Sequence, residues 1–594
     1  MKKILNFFLI LCLLPVTSAY AEECWNDTDD ETYDRTIEQK TYPLYYERNG
    51  TDPVNPEFPI YFIDGVYDLP YADITDIVAL TNGMKDARDF DGLTYIIECD
   101  EENSTAVIYV EGSTSLLVMD FTGQTVTYSS MDTFGQDPNL PLMDSMGFSG
   151  FNAETGEPEL MQRVPDSGIQ LEGNPLTINM ADYNISMIHQ DSRFLMPLHT
   201  AFDLIIGVSH ALTVCFNGEG IFLGSDGMFG DPEYGMIYGL GEKYYSAPIA
   251  ERSETLAAYG VNELCMEMDH FYGLKESHGI DSFYKLLLNS GLMDQLLSPS
   301  ALEADKALAV LVNGYLDDGH SGYLANSWAT GAIPEENNPL DTPIGPSRSI
   351  TERISAQYKA VKDEYPDYNR EYLEIGNTAY VSFNSFHLKY RDDPSKYYEE
   401  LTEDDIEMDT IALIIYAHRQ ITRENSPIEN VVLDLSNNRG GAAAVAIFVM
   451  SWFMGEAPFS VTSPTTGAQS TLFCRADVNL DREFNDLDTV ADKNLYCLIS
   501  PTSFSCGNLV PWVFKASGTV TLLGDTSGGG SCVVKTMSSA WGSIFHMSGT
   551  KRIAFVKNGS FYDVDRGVDP DIFLTKKNTF YNREKLTEMI CNLY

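Results

Sequence analysis

The sequence predicts an α/β protein in which a β-rich α+β region precedes a layer of alternating strands and helices. Three observations predict it. Residues 56–225 hold strand-length runs rich in β-branched and aromatic residues, punctuated by Gly, Asn and Asp. After about residue 250 the apolar spacing changes to the helical period. From about residue 372 strand-like and helix-like runs alternate, the pattern of a largely parallel sheet whose ligands gather beyond the carboxyl ends of its strands.

Residues 1–21 read as a secretory signal peptide. Lys2 and Lys3 precede an apolar run over 4–16, and Ala19, Tyr20 and Ala21 give the small-x-small pattern of a cleavage site. Residues 22–240 are then the β-rich accessory domain: "LTYIIECD", "TAVIYVEG", "SLLVMDF" and "TVTYSSM" are its strands, and residues 71–84 and 197–207 its short helices. "LTVCFNGEGIFLG" is a hairpin turning at Asn217 and Gly218, both expected at positive φ. A change of composition over 235–242 closes this block.

Residues 241–370 are expected to form a helical cap region. Its clearest helix, "SPSALEADKALAVLVNGYLDDGH", places Ala304, Leu308, Leu311, Val312 and Tyr315 on one face, opened by Ser298 with Pro299 in the first turn and closed by Gly319. Residues 371–594 then alternate: strands "TAYVSFNSF", "NVVLDLS", "NLYCLIS" and "TVTLLGD", with helices around "DTIALIIYAHRQI", "AAAVAIFVMSWFM" and after Asn508. "DVNLDREFNDLD" has the acids of a calcium loop but Arg482 where the sharp turn requires glycine, so it reads as a solvated acidic loop.

With 38 basic and 87 acidic residues, the formal net charge is -49. Such a chain repels a phosphate backbone, which excludes nucleic acid as a partner, and anionic membrane surfaces are disfavoured. No run after the leader reaches the ~18 apolar residues of a spanning helix, so a soluble exported protein is expected: periplasmic, cell-surface or extracellular. Of ten cysteines, Cys12 leaves with the leader; the remaining odd number, without a CxxC pair, leaves at least one thiol unpaired within the chain. There is no HExxH, phosphate loop or dinucleotide fingerprint, and no metal or organic cofactor is expected.

Chemistry gathers at two strand ends. "VVLDLSNNRGG" runs a strand into Gly440 and Gly441, where the backbone can approach a substrate and aim amides at an oxyanion, or simply make a tight turn. "LYCLISPTSFSCGN" places Ser505 just outside the positive end of the next helix, with Asn508 as its expected cap and Pro511 in its first turn. Ser505 is there either a nucleophile or a cap, and Cys506 beside it is a second possible nucleophile. A base would come from His320, in a glycine turn after the helix above, and an acid from Asp563 or Asp565, each otherwise an ordinary surface residue.

"NVVLDLSNNRGG", "LISPTSFSCGN", "LLGDTSGGG" and "DRGVDPDI", in that order and with "DDGHSGY" ahead of them, resemble the C-terminal processing (tail-specific) serine peptidase superfamily over roughly residues 250–594. The resemblance implies a crotonase/ClpP-like β-α superhelical core over 371–594 and a polypeptide substrate. Members with a Ser-Lys dyad carry lysine where this sequence has Gly529, which points instead to the Ser-His-acid subset that includes the chlamydial protease-like activity factor and the tricorn protease. What that subset implies here is Ser505 as nucleophile, His320 as base, Asp565 as acid with Asp563 as the alternative, and an oxyanion hole from Gly440, Gly441 and Cys506. The interval from 320 to 372 is too short for the PDZ module usual in tail-specific peptidases. A binding protein that keeps the fold without the chemistry is the rival expectation. An α/β-hydrolase would need His546 as base and lacks G-x-S-x-G.

Overall fold

The computed structural model describes residues 35–593 apart from 88–89, 91, 141–159, 165–167, 211, 226–239, 249–250, 333–337 and 391–392. The signal-peptide segment, Cys24 and residues 235–239 of the composition break lie outside the described residues. Among the described residues no helix is long and apolar enough to cross a membrane, and the described cysteines are all free thiols.

The late α/β layer is a six-stranded sheet in the order Tyr372–Ile375, Thr378–Ser382, Asn430–Asp434, Asn494–Ile499, Val520–Gly524, Ile572–Phe573. The first pair is antiparallel and every other pair parallel. Its central strands are near-continuous apolar runs because helices cover both faces, and Val431, Val432, Leu433, Leu498 and Ile499 are fully buried. Helix Thr410–Ile421 starts where the Asp409 carboxylate accepts from the Ala412 amide. Helix Ala443–Met454 is buried almost all round, as its unbroken apolar sequence requires.

A second sheet centres on the long strand Ile544–Lys557, which pairs with Gly322–Ala325, Ala457–Ser463, Cys532–Ser538 and Ser560–Asp563. Strands Met161–Arg163 and Gln170–Leu171 join it by pairing with Ala468–Ala476. The N-terminal region contains a seven-stranded sheet and a five-stranded sheet. In the latter, Thr105–Val110 alternates half-buried and buried residues, the mark of a strand with one solvated face. One apolar core unites these sheets with helices Glu254–Phe271 and Ala301–Ala309 and with Met537, Phe545 and Met547.

Three local expectations are corrected. The helix expected over 298–319 is Ala301–Ala309, continued by a wider π turn over Val310–Leu316. Ser300 rather than Ser298 caps it, accepting from the Glu303 amide. It stops at Asp317 (φ 44°), whose carboxylate accepts from the Ser347 and Arg348 amides and so caps the following helix Pro346–Asp363. In the 213–224 hairpin only Gly218 takes positive φ; Asn217 instead accepts from the Glu219 and Gly220 amides through its side chain. Asn508 is not a cap: the helix is Cys506–Ser517, and Asn508 lies inside it, bonded to Val564 O and Ser527 Oγ.

Candidate active site

Ser505 stands at the corner between strand Asn494–Ile499 and helix Cys506–Ser517, with φ 56° and ψ -124°. This is glycine territory, and a side-chain-bearing residue there stores on the order of 1–3 kcal/mol of strain. The corner is pinned from several sides. The Ser505 amide donates to Gly529 O (2.9 Å), the Phe504 amide to Asn438 O (3.0 Å), and the Gly528 amide to Ser503 O (2.7 Å). Ser505 occupies the N-cap position yet makes no capping bond with its side chain. The strained geometry thus turns the hydroxyl away from the use that most serines have at a helix start, while the Cys506 amide stays the first donor of a helix whose leading amides lack intrahelical partners.

The glycine turn abuts this serine. A Cβ on Gly440 (φ 107°) would lie 2.7 Å from Ser505 Cβ and 3.1 Å from its Oγ. Only glycine permits the approach. The Gly440 amide, however, donates to Asn438 Oδ1 (2.8 Å), so in this arrangement it is occupied within the turn. Gly441 (φ 133°) runs against the Phe386 backbone: a Cβ there would lie 2.5 Å from Phe386 O and 2.8 Å from Phe386 N.

His320 comes to the same place from the other side of the chain. Its ring packs on Phe504, centroids 4.7 Å apart, and that phenyl ring is wedged between Gly319 and Gly530, where a Cβ would lie 2.3 Å and 2.4 Å from it. Among the described residues no hydrogen bond joins the imidazole to Ser505 Oγ. The turn bearing His320 is organised by Asp318, the aspartate of the "DDGHSGY" stretch, to which the sequence assigned no role. Its carboxylate accepts from the His320 and Ser321 amides, Ser321 Oγ, Ser548 Oγ and Tyr272 OH. Burial lowers the His320 pKa below its ordinary value against the pull of Asp318 and Asp565, and His546 lowers it further. A neutral imidazole able to take a proton results.

Of the two candidate acids, Asp565 is the one whose charge is felt at His320. Its Oδ1 accepts from Ser531 N (3.2 Å), and its amide donates to Asp563 Oδ1 (2.8 Å). Asp563 is committed elsewhere, ion-paired with Arg552. Gly529 ties the Asp565 and Ser505 segments together: its carbonyl receives the Ser505 amide, while a Cβ there would sit 2.1 Å from Asp565 O. No side chain fits at 529, lysine included.

Cys506 is buried, and its thiol is pushed up to about 12 by desolvation, which keeps it protonated. His418 is a packed core residue that accepts from Trp452 Nε1 and is held down at about 4 by burial. The acidic loop from Asp477 is closed on itself, with Asp477 accepting from the Arg482 amide and Tyr398 OH.

Serine corner, facing glycine turn and an incoming imidazole are thus assembled around one strand end. The sequence model of peptidase family S41 matches residues 377–574. This segment belongs to peptidase family S41, a family of serine-type peptidases. Of the residues above, Ser505, Gly440, Gly441, Cys506, Asp563 and Asp565 lie within the S41 segment, and His320 reaches it from outside. A search of curated proteins finds no match. Solved structures with some likeness include the photosystem II D1 C-terminal processing protease (16% identity over 34% of this chain and 44% of that one, TM-score 0.24). Mature CPAF (12%, 57% and 98%, TM-score 0.36) and the tricorn protease (11%, 84% and 59%, TM-score 0.31) are others. The chain therefore spans less than half the length of the first of these.

Proposed function

We propose that the chain is an exported serine endopeptidase that cleaves polypeptides through an acyl-enzyme. Ser505 Oγ attacks the scissile carbonyl carbon while His320 takes its proton; Asp565 holds the imidazole in the required tautomer. The tetrahedral oxyanion is met by the Cys506 amide together with one from the 440–441 turn. The Gly441 amide is the readier of that pair because the Gly440 amide is given to Asn438. Collapse breaks the C–N bond as His320 returns the proton to the leaving amine, and water then hydrolyses the ester by the same relay. The region 22–240 serves as an accessory domain, 241–370 as the cap that delivers the base, and 371–594 as the peptidase core. Export rests on the leader-like residues 1–21.

The observation that carries this reading is Ser505 itself: a strained, uncapped hydroxyl at the head of a helix, beside a glycine turn that no larger residue could make. The missing Ser505–His320 hydrogen bond favours the rival, a peptide- or ligand-binding protein on the same fold, although such bonds often close only around substrate. A fluorophosphonate probe and unfolded casein separate the two. An enzyme labels at Ser505 and hydrolyses casein, and Ser505→Ala and His320→Ala abolish both. A wild type that neither labels nor cleaves refutes the enzyme.

A further inference from the structure

The structure assigns to this protein a buried divalent-cation site, remote from Ser505, built from His199, Asp203, Glu263 and Glu267. His199 lies in the first turn of helix Leu198–Phe202, and Asp203 opens the π turn Asp203–Gly207. Glu263 and Glu267 lie on helix Glu254–Phe271. Each pair is spaced i, i+4, so each presents two ligands from one face, and the four ligand atoms lie within 4.8 Å of one another.

Two observations besides the clustering call for a cation. Glu267 is 1% exposed, and neither of its oxygens accepts a hydrogen bond among the described residues. The group it faces is another carboxyl, that of Asp203, whose Oδ2 is likewise without a hydrogen bond. Two buried carboxyls meeting face to face need a cation or a shared proton between them.

The second observation is the imidazole. Ser538 Oγ gives its hydrogen to Val214 O (3.0 Å), so it accepts from His199 Nε2 (2.6 Å). The other nitrogen, Nδ1, then points at Glu263 Oε1 (2.6 Å) and Asp203 Oδ2 (3.1 Å). Metal binding would displace the Nδ1 proton and leave a neutral ring whose lone pair points between two carboxylates, the disposition of a metal-bound histidine oriented by its second nitrogen.

Charge closes as well. Three carboxylates are offset by Lys535, whose buried ammonium donates to Gly207 O and senses both Asp203 and Glu267; a divalent ion brings the cluster to neutrality with His199 uncharged. One imidazole and three carboxylates suit Zn²⁺ or Mn²⁺ rather than a soft ion. His199 also lines a cavity of about 190 Å³ bounded by Leu198, Arg252, Tyr259, Trp328 and Trp541, which offers a way in.

The competing occupant is the proton. Burial drives His199 towards neutrality, but Glu263 and Asp203 outweigh it and hold the ring up at about 9. The test therefore reads metal rather than activity. Full-length protein stripped with chelator and dialysed is titrated calorimetrically with ZnCl₂ and, separately, MnCl₂. One equivalent of at least one of these ions binding with Kd of about 1 μM or tighter is expected, weakened ~100-fold or more in Glu267→Gln. X-ray absorption of the loaded wild type should show one imidazole nitrogen and carboxylate oxygens without sulfur, a readout that survives should the variant fail to fold. No stoichiometric binding of either ion, which would mean protons alone fill the site, overturns the assignment. So does undiminished binding in Glu267→Gln, or sulfur in the first shell.

Discussion

Replacing Ser505 by glycine should make the protein more stable than replacing it by alanine. Both changes delete the hydroxyl, so they differ only in a Cβ held at φ 56°, ψ -124°. Relief of that conformation is worth on the order of 1–3 kcal/mol. Against it stands the greater freedom of an unfolded glycine, about 0.4–1 kcal/mol. The net is about 1–2 kcal/mol in favour of Ser505→Gly. Urea unfolding of the two variants side by side measures it: equal slopes, with the glycine midpoint higher by a few tenths molar, roughly what so large a chain's steep denaturant dependence allows. Neither variant should cleave casein. If Ser505→Gly unfolds at or below the Ser505→Ala midpoint, the corner is not strained, and the geometric case for a positioned nucleophile fails with it.

His320→Ala should lower kcat/KM by about 10²–10⁴. Because only the neutral ring can take a proton and its pKa is depressed by burial, the acid limb of the wild-type pH–rate profile should fall below the ~6.5 of a free imidazole; a limb at or above that value contradicts the buried-base assignment. Asp565→Asn should reduce kcat by about 10²–10⁴, whereas Asp563→Asn, which loses a partly exposed ion pair with Arg552, should cost less than about tenfold. The reverse ranking would exchange their roles. Cys506→Ala should retain fluorophosphonate labelling, and iodoacetamide at pH 8 should not modify Cys506 in the folded protein, since its thiol is pushed up to about 12.

Much of the fold was legible because its cause is local. The strands ending at Asp434 and Ile499 are unbroken apolar runs closed by turn residues, and such runs are what a sheet covered on both faces demands. Boundaries were less legible wherever a distant partner decides them. Asp317 ends its helix because it caps a helix beginning at Pro346, a contact no window around 317 reveals. Asn508 has the composition of a cap, yet is drawn into the interior by Val564 and Ser527. Among the candidate site residues, Ser505, His320 and Asp565 were given roles by motif, whereas Asp318, in the same "DDGHSGY" stretch as His320, was given none, although an aspartate two residues before a turn histidine is well placed to accept its amide. The His199–Glu267 cluster was invisible for the opposite reason: its two i, i+4 pairs are unremarkable alone and acquire meaning only when two helices bring them together.

Gly529 leaves no room for a lysine base beside Ser505. At that position three constraints coincide: φ of 85°, a carbonyl committed to the Ser505 amide, and Asp565 O where a Cβ would stand. The backbone crossing that fixes the Ser505 corner against the Asp565 segment therefore removes the space a lysine would need. Under the proposed mechanism the base enters over Phe504, on which the His320 ring packs, and the glycines at 319 and 530 that grip Phe504 set how closely the imidazole approaches. Close packing at the crossing and delivery of the histidine by the cap are then two consequences of one steric fact.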